Sequence, residues 1–183
     1  MQKRLLLNSH HLKITISRLC HQLVENHDDF KDSVILGLQP KGIFLAERIK
    51  SELEGITGNS IDLGYLDTTF YRDDFRRRDE VITPNETKIS FIIEKKKVIL
   101  VDDVLYTGRS VRAAMDAMIA FGRPDKVELL ILIDRIHSRD IPVEANYVGR
   151  KVNTIQSQKV LVELKEENKK EDNIWLIDKE EIK

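Results

Sequence analysis

A single cysteine, Cys20, stands in a chain of 183 residues, which excludes an internal disulfide and any thiolate-rich zinc site. A lone thiol fits a reducing, cytoplasmic compartment and is expected in the core. An excess of one charge is missing as well: 30 Lys and Arg against 31 Asp and Glu leave a formal net charge of −1. Composition alone therefore does not announce a nucleic-acid binder, and any such surface has to come from segregation of charge within the fold. Long apolar runs are absent too. The start, Met1-Gln-Lys-Arg-Leu-Leu-Leu-Asn-Ser9, is too briefly apolar for a secretory signal, and nothing approaches the roughly 20 residues of a membrane span. No membrane partner is expected.

What is present is a chain able to bury a core. Apolar residues make up 41% and charged residues 33%, and the length fits one domain over residues 1–183. Leu12, Ile16, Leu19, Cys20, Leu23 and Val24 follow helical spacing from Ser9 to about Glu25, with Asn8 or Ser9 placed to cap the start. Val34 to Leu36 reads as a buried strand entering the turn Gln39-Pro-Lys-Gly42, and helical spacing returns from Ile43 to Leu53. Ile61, Leu63 and Tyr65 alternate as a strand that Thr68 to Tyr71 extends.

The segment Arg72 to Glu80 has four basic and four acidic residues around one aromatic, the composition of a mobile excursion. Ile89 to Ile93 and Val98 to Val101 read as two short strands about a charged turn. Ser110 to Phe121 carries a helical stripe stopped by Gly122 and Pro124, and Val127 to Ile133 is another buried strand. Beyond Asp134 the pattern degrades, then resumes at Val160 to Val162 and Ile174 to Ile177 on either side of a charged loop. Strands alternating with helices predict an α/β fold with a mainly parallel sheet flanked by helices.

Val98 to Ser110 carries the chemistry. An apolar strand ends in Asp102 and Asp103, a turn follows at Thr107 and Gly108, and a helix begins. In open α/β sheets ligands collect beyond the carboxyl ends of the strands, and a helix N-terminus offers unpaired N–H groups to an anion. Gly108 permits close backbone approach, Thr107 and Ser110 add hydroxyls, and Arg109 adds positive charge, so this half suits a phosphate. The two carboxylates would repel a phosphate and must face hydroxyl donors, a magnesium ion or a carbon becoming positive. A ribose 5-phosphate supplies the hydroxyls and the carbon. The plainer alternative, capping of the turn, seldom needs two adjacent acids.

Val101-Asp-Asp-Val-Leu-Tyr-Thr-Gly-Arg-Ser110 resembles the phosphoribosyl pyrophosphate (PRPP) signature of the type I phosphoribosyltransferases. Gly37 to Ile43, Thr69 to Asp74, Gly122 to Pro124, Asp134-Arg135 and Asn146 to Gly149 are similar, in order and approximate spacing, to one branch of that family. This is the PyrR type, which joins uracil phosphoribosyl transfer to attenuation of pyrimidine operons. The resemblance implies the type I fold with a small hood, expected at about 135–160.

It also implies roles. Lys41 and Gly42 fall in the pyrophosphate loop, where a Walker A reading fails because Ile43 and Phe44 replace its Lys and Ser or Thr. Arg72 opens the catalytic loop and acts with Asp102 and Asp103, while Thr107, Gly108, Arg109 and Ser110 hold the 5-phosphate. Tyr106, Asp134 and Arg135 face the base. Purine-specific relatives place an acid where Tyr106 stands, which favours a pyrimidine. Magnesium is expected with PRPP, with no direct protein ligand.

Uracil or UMP, an operon leader RNA and further copies of the chain, as a homodimer or larger homo-oligomer, are the other implied partners. For RNA, the residues implied are Arg18, His21, His137, Arg139 and Lys151; scattered solvated charges are the alternative. Two departures touch the hood: Asp134-Arg-Ile-His-Ser-Arg139 carries one inserted residue and lacks a glycine, and Asn153-Thr-Ile-Gln156 stands in place of a Pro-Thr-Ser segment. Two rival functions remain: a regulator that senses PRPP or nucleotides without chemistry, and a purine phosphoribosyltransferase.

Overall fold

Period-two alternation along the strands sorts the core into two layers. In the computed structural model, which describes residues 3–72 and 85–178, Val34, Leu36 and Leu38 face one layer and Ile35 the other. Val98 and Leu100 oppose Ile99 and Val101 in the same way, as Leu129 and Ile131 oppose Leu130. Such strands form a parallel sheet. They are β2 (Ser33–Leu38), β3 (Leu63–Leu66), β4 (Lys97–Leu105), β5 (Lys126–Ile136) and β6 (Tyr147–Asn153), in the order β3-β2-β4-β5-β6.

Helix α1 (Ser9–His27) buries Leu12, Ile16, Leu19, Cys20 and Leu23, and Asn8 caps it by accepting from the His11 N–H at 2.9 Å. Burial, with Glu52 adding, pushes the Cys20 thiol up to about 12, so it remains an inert core group. Helix α2 (Gly42–Thr57) packs on the same layer as α1, and α3 (Arg109–Ile119) covers the opposite one. Among the described residues no helix is long and apolar enough to cross a membrane.

A second, antiparallel sheet combines β1 (Arg4–Asn8) with β8 (Asn173–Asp178) and β7 (Gln158–Glu163), in the order β1-β8-β7. Of residues 135–160, the expected hood, the first two end β5, β6 joins the parallel sheet, and the start of β7 lies in the small sheet. Two strand expectations also change. Thr69–Tyr71 forms a 3₁₀ turn, because the Asp67 carboxylate accepts from both the Thr69 N–H and hydroxyl. Of the run expected at Ile89 to Ile93 there is only a neighbouring bridge, Lys88 to Tyr65. Residues 73–84, most of the expected mobile excursion, lie outside the described residues.

Far from the carboxyl ends of the strands, His27 is buried in a polar cluster. Its Nε2 lies 2.8 Å from Glu128 and 3.2 Å from the Tyr147 hydroxyl, and its Nδ1 lies 2.8 Å from Ser33 Oγ. A neutral imidazole protonated on Nε2 donates to Glu128 and accepts from Ser33, satisfying both. Burial holds the ring below its ordinary value of 6.5 against the pull of Glu128, with Lys97 and Lys126 adding to the lowering. Burial alone would raise Glu128, but hydrogen bonds from Lys126, Tyr147 and His27 keep its carboxyl low.

As pH falls through the ordinary histidine range, the unfolded chain takes up a proton before buried His27 does, so stability is lost on the acid side. The melting temperature is expected to fall between pH 8 and pH 5.5. His27→Gln, less stable overall, is expected to show a flatter decline. Parallel profiles for the two proteins would show that the ring contributes nothing to the slope.

Candidate active site

β4 is the central strand and carries Asp102 and Asp103 to the carboxyl end of the sheet, where both are partly exposed. The Asp103 N–H donates to Asp102 Oδ1 at 2.9 Å. Burial, then the neighbouring Asp103 carboxylate, push the Asp102 carboxyl well above the usual range, with Arg72 pulling it back. Burial raises Asp103 as well, opposed by Lys41 nearby. Perturbed acids of this kind, raised by burial beside cations, are common at functional sites.

The turn after β4 leads into α3 through Gly108, whose φ of 90° is in the left-handed region that glycine tolerates. Thr107, Arg109 and Ser110 surround the N-terminus of α3. Arg72 Nη1 donates to Ser110 Oγ at 2.6 Å, so the first residue of the expected catalytic loop reaches the phosphate-type turn. Arg109 reaches outward to Asp140, with Nε 3.2 Å from its carboxylate.

Gly42 starts α2 against the end of β4. A Cβ there would stand 2.4 Å from the Val101 carbonyl and 3.1 Å from Asp102 Cα, so glycine lets the second helix terminus close on the carboxylate pair. Lys41 precedes it. Its Nζ donates to the Val162 carbonyl at 2.6 Å and pairs with Glu167 at 3.0 Å, which ties the loop to β7. Beside Lys41 and Asp103 lies a cavity of about 370 Å³, lined by them and by Val104, Tyr106, Arg135 and residues 159–162 of β7. That is within the range of small-molecule sites, roughly 300–1,000 Å³. Arg135, buried, stacks its guanidinium over the Tyr106 ring at 3.8 Å.

A carboxylate pair followed by a glycine turn and a helix N-terminus, with a second helix N-terminus closing on the pair, thus stands at one end of the sheet beside this cavity. The family model for the phosphoribosyl transferase domain matches residues 4–167. The chain belongs to this family. Among its relatives, a protein of Bacillus velezensis named "Bifunctional protein PyrR" is 39% identical over 167 residues, covering 90% of this chain and 92% of the relative. The protein of that name from Bacillus cereus is 39% identical over 180 residues, with 97% and 99% covered. Among solved structures, the hypoxanthine phosphoribosyltransferase of Trypanosoma cruzi superposes with a TM-score of 0.70 at 11% identity, covering 96% of each chain. A hypoxanthine-guanine enzyme of Bacillus anthracis gives 0.64 at 17%, covering 82% of this chain and 84% of that one. These two likenesses show the fold, which is the type I phosphoribosyltransferase fold.

Other residues expected in the phosphoribosyltransferase site are placed differently. Asp134 does not join Arg135 at the cavity, because successive strand residues face opposite ways. It is buried and pairs with Arg139. Arg139 is thereby drawn inward from the surface expected to meet RNA. Arg18, His21, His137 and Lys151 stay exposed. Arg18 bonds the Val148 and Gly149 carbonyls of β6, which puts this part of α1 beside the strand that carries Lys151.

One residue escaped the sequence reading. Buried Asp67 holds Thr69 through one carboxylate oxygen and the Asn85 N–H, at 3.1 Å, through the other. It fixes the point from which Arg72 departs. The only sequence signal was an acid directly before two threonines.

Proposed function

We propose that this phosphoribosyltransferase moves the 5-phosphoribosyl group of PRPP to N1 of uracil, giving UMP and pyrophosphate. The observation that carries the reading is one cavity lined by Asp103 of the acid pair, Lys41, Tyr106 and Arg135, with Asp102 and the Thr107–Ser110 turn next to these lining residues in the chain. The bond from C1′ to the pyrophosphate oxygen breaks as the N1–C1′ bond forms, and the N1 proton is lost. Asp102 and Asp103 accept from the ribose hydroxyls and stabilise positive charge growing at C1′. Residues 107–110 anchor the 5-phosphate, so that the sugar is held while both bonds change. Lys41, Gly42 and Arg72 receive the pyrophosphate, which requires Lys41 to exchange Glu167 for the substrate anion.

Among the described residues no cluster of three or more His, Cys, Asp or Glu side chains could cage a metal. A magnesium ion would arrive with PRPP and take no direct protein ligand, with the Asp102 and Asp103 carboxylates favouring it by their charge. When bound, magnesium would neutralise charge on the departing pyrophosphate.

A second activity has its own support. Exposed Lys13, Arg18 and His21 on α1, beside Lys151 of β6, form a basic stripe that fits phosphate contacts to a leader RNA, in keeping with the relatives' "bifunctional" name. Exposed Met115, Ile119 and Phe121 at α3 offer an apolar surface for another copy of the chain.

The test of the enzyme is pyrophosphate release from PRPP and magnesium with each nucleobase in turn. Release with uracil alone is expected, and chelation of the metal should end it. Release with hypoxanthine or guanine would overturn the pyrimidine assignment, and silence with every base would favour the sensing regulator.

A further inference from the structure

The turn between β4 and α3 is braced from outside by a segment to which the functional reading gives no task. Arg139 Nη1 donates to the carbonyls of Tyr106 at 2.7 Å, Arg135 at 3.0 Å and Leu105 at 3.4 Å. Its Nε donates to the Val143 carbonyl at 3.0 Å, and its Nη2 pairs with the buried Asp134 carboxylate. Immediately after it, the N–H groups of Asp140 and Ile141 both donate to the Thr107 carbonyl, at 3.0 and 3.1 Å. The Ile141 carbonyl lies 3.3 Å from where a Cβ on Gly108 would stand, so the segment is seated directly on the turn.

Three consecutive carbonyls, of Leu105, Tyr106 and Thr107, are therefore held toward residues 139–141. In a planar trans peptide the C=O and the following N–H point in opposite directions. Fixing the Tyr106 and Thr107 carbonyls outward turns the N–H groups of Thr107 and Gly108 away from the brace, as a concave anion cradle requires. A short glycine-containing turn has many other conformations, and ordering it at the moment of binding would weaken the complex.

We propose that Arg139 is a positioning residue that presets the 5-phosphate cradle, and so governs affinity for the phosphorylated ribose without touching it. The proposal rests on the phosphoribosyl reading of the site. It also assigns Arg139 to the interior of this machinery rather than to an RNA surface. Lysine is a poor substitute, because one ammonium cannot span four carbonyls and a carboxylate as the planar guanidinium does.

The test uses the full chain, with ribose 5-phosphate and magnesium pyrophosphate titrated separately by calorimetry into the wild type, Arg139→Lys and Arg139→Gln. Ribose 5-phosphate is expected to bind about tenfold more weakly or worse to both variants. Pyrophosphate, which uses the other helix terminus, is expected to keep its affinity within about twofold. Equal affinity of variants and wild type for ribose 5-phosphate would overturn the proposal, and so would an equal loss for both ligands, which is the mark of general loosening. Arg139→Lys keeps a cation beside Asp134 and provides the reading should Arg139→Gln fail to fold. Unfolding of both would make Arg139 a residue of the fold alone and overturn the assignment. A wild type that binds pyrophosphate but not ribose 5-phosphate would instead bring down the phosphoribosyl reading itself.

Discussion

Asp103→Asn is expected to lower turnover of phosphoribosyl transfer by a factor on the order of 10² to 10³, as measured by pyrophosphate release at saturating PRPP and uracil. The substitution keeps shape and one acceptor oxygen but removes the charge that the proposed mechanism uses at the forming cation. Unchanged turnover in a folded variant would remove Asp103 from the mechanism.

Asp102→Asn separates activity from stability. The folded-state carboxyl of Asp102 is raised well above its ordinary value by burial and by Asp103. A raised carboxyl favours the fold only where it is protonated, and the ionised pair opposes folding as pH rises through its folded value. Asparagine retains the Oδ1 that accepts from the Asp103 N–H and carries no charge. Asp102→Asn is therefore expected to melt higher than the wild type at pH 8 and to lose this advantage in acid, while its activity drops. A variant that melts lower at pH 8 would contradict the account of the pair.

The second large effect is expected at Arg72. It leaves the 3₁₀ turn anchored by Asp67 and donates to Ser110 Oγ, with Asp102 close enough to feel its charge. One guanidinium thus contacts the turn and acts by its charge on the acid pair. Arg72→Ala is expected to raise the KM for PRPP and lower kcat together, with kcat/KM falling on the order of 10² or more. Arg72→Lys is expected to recover only part of the loss, because an ammonium cannot repeat the planar fork. A change confined to the KM for uracil would place Arg72 at the base instead.

How far the fold could be read in advance depended on where each element finds its partner. Leu12, Ile16, Leu19 and Leu23 announce α1 by spacing alone, and Val34 to Leu36, Val98 to Val101 and Val127 to Ile133 announce buried parallel strands by continuous apolarity. β1 is different: Leu5 to Leu7 make a strand only through pairing with β8 at the other end of the chain. β6 reads as polar because it is an edge strand, with Arg150 and Lys151 exposed. No local pattern marks either.

The site divides in the same way. Asp102, Asp103 and Thr107 to Ser110 are contiguous, and their geometry follows from strand, turn and helix. The meeting of Tyr106 with Arg135 requires β4 and β5 to be neighbours, which spacing alone does not show. Arg139 looks in sequence like any surface charge. Only the fold shows four carbonyls and a carboxylate gathered around it.

Whether the segment from Val98 to Ser110 holds a ribose 5-phosphate is decided by a crystal structure of the chain with PRPP and magnesium. The 5-phosphate is expected within hydrogen-bonding distance of the main-chain N–H groups of residues 107–110, and the two ribose hydroxyls on Asp102 and Asp103. PRPP bound with its 5-phosphate away from this turn, or with its hydroxyls away from the two aspartates, would contradict that assignment.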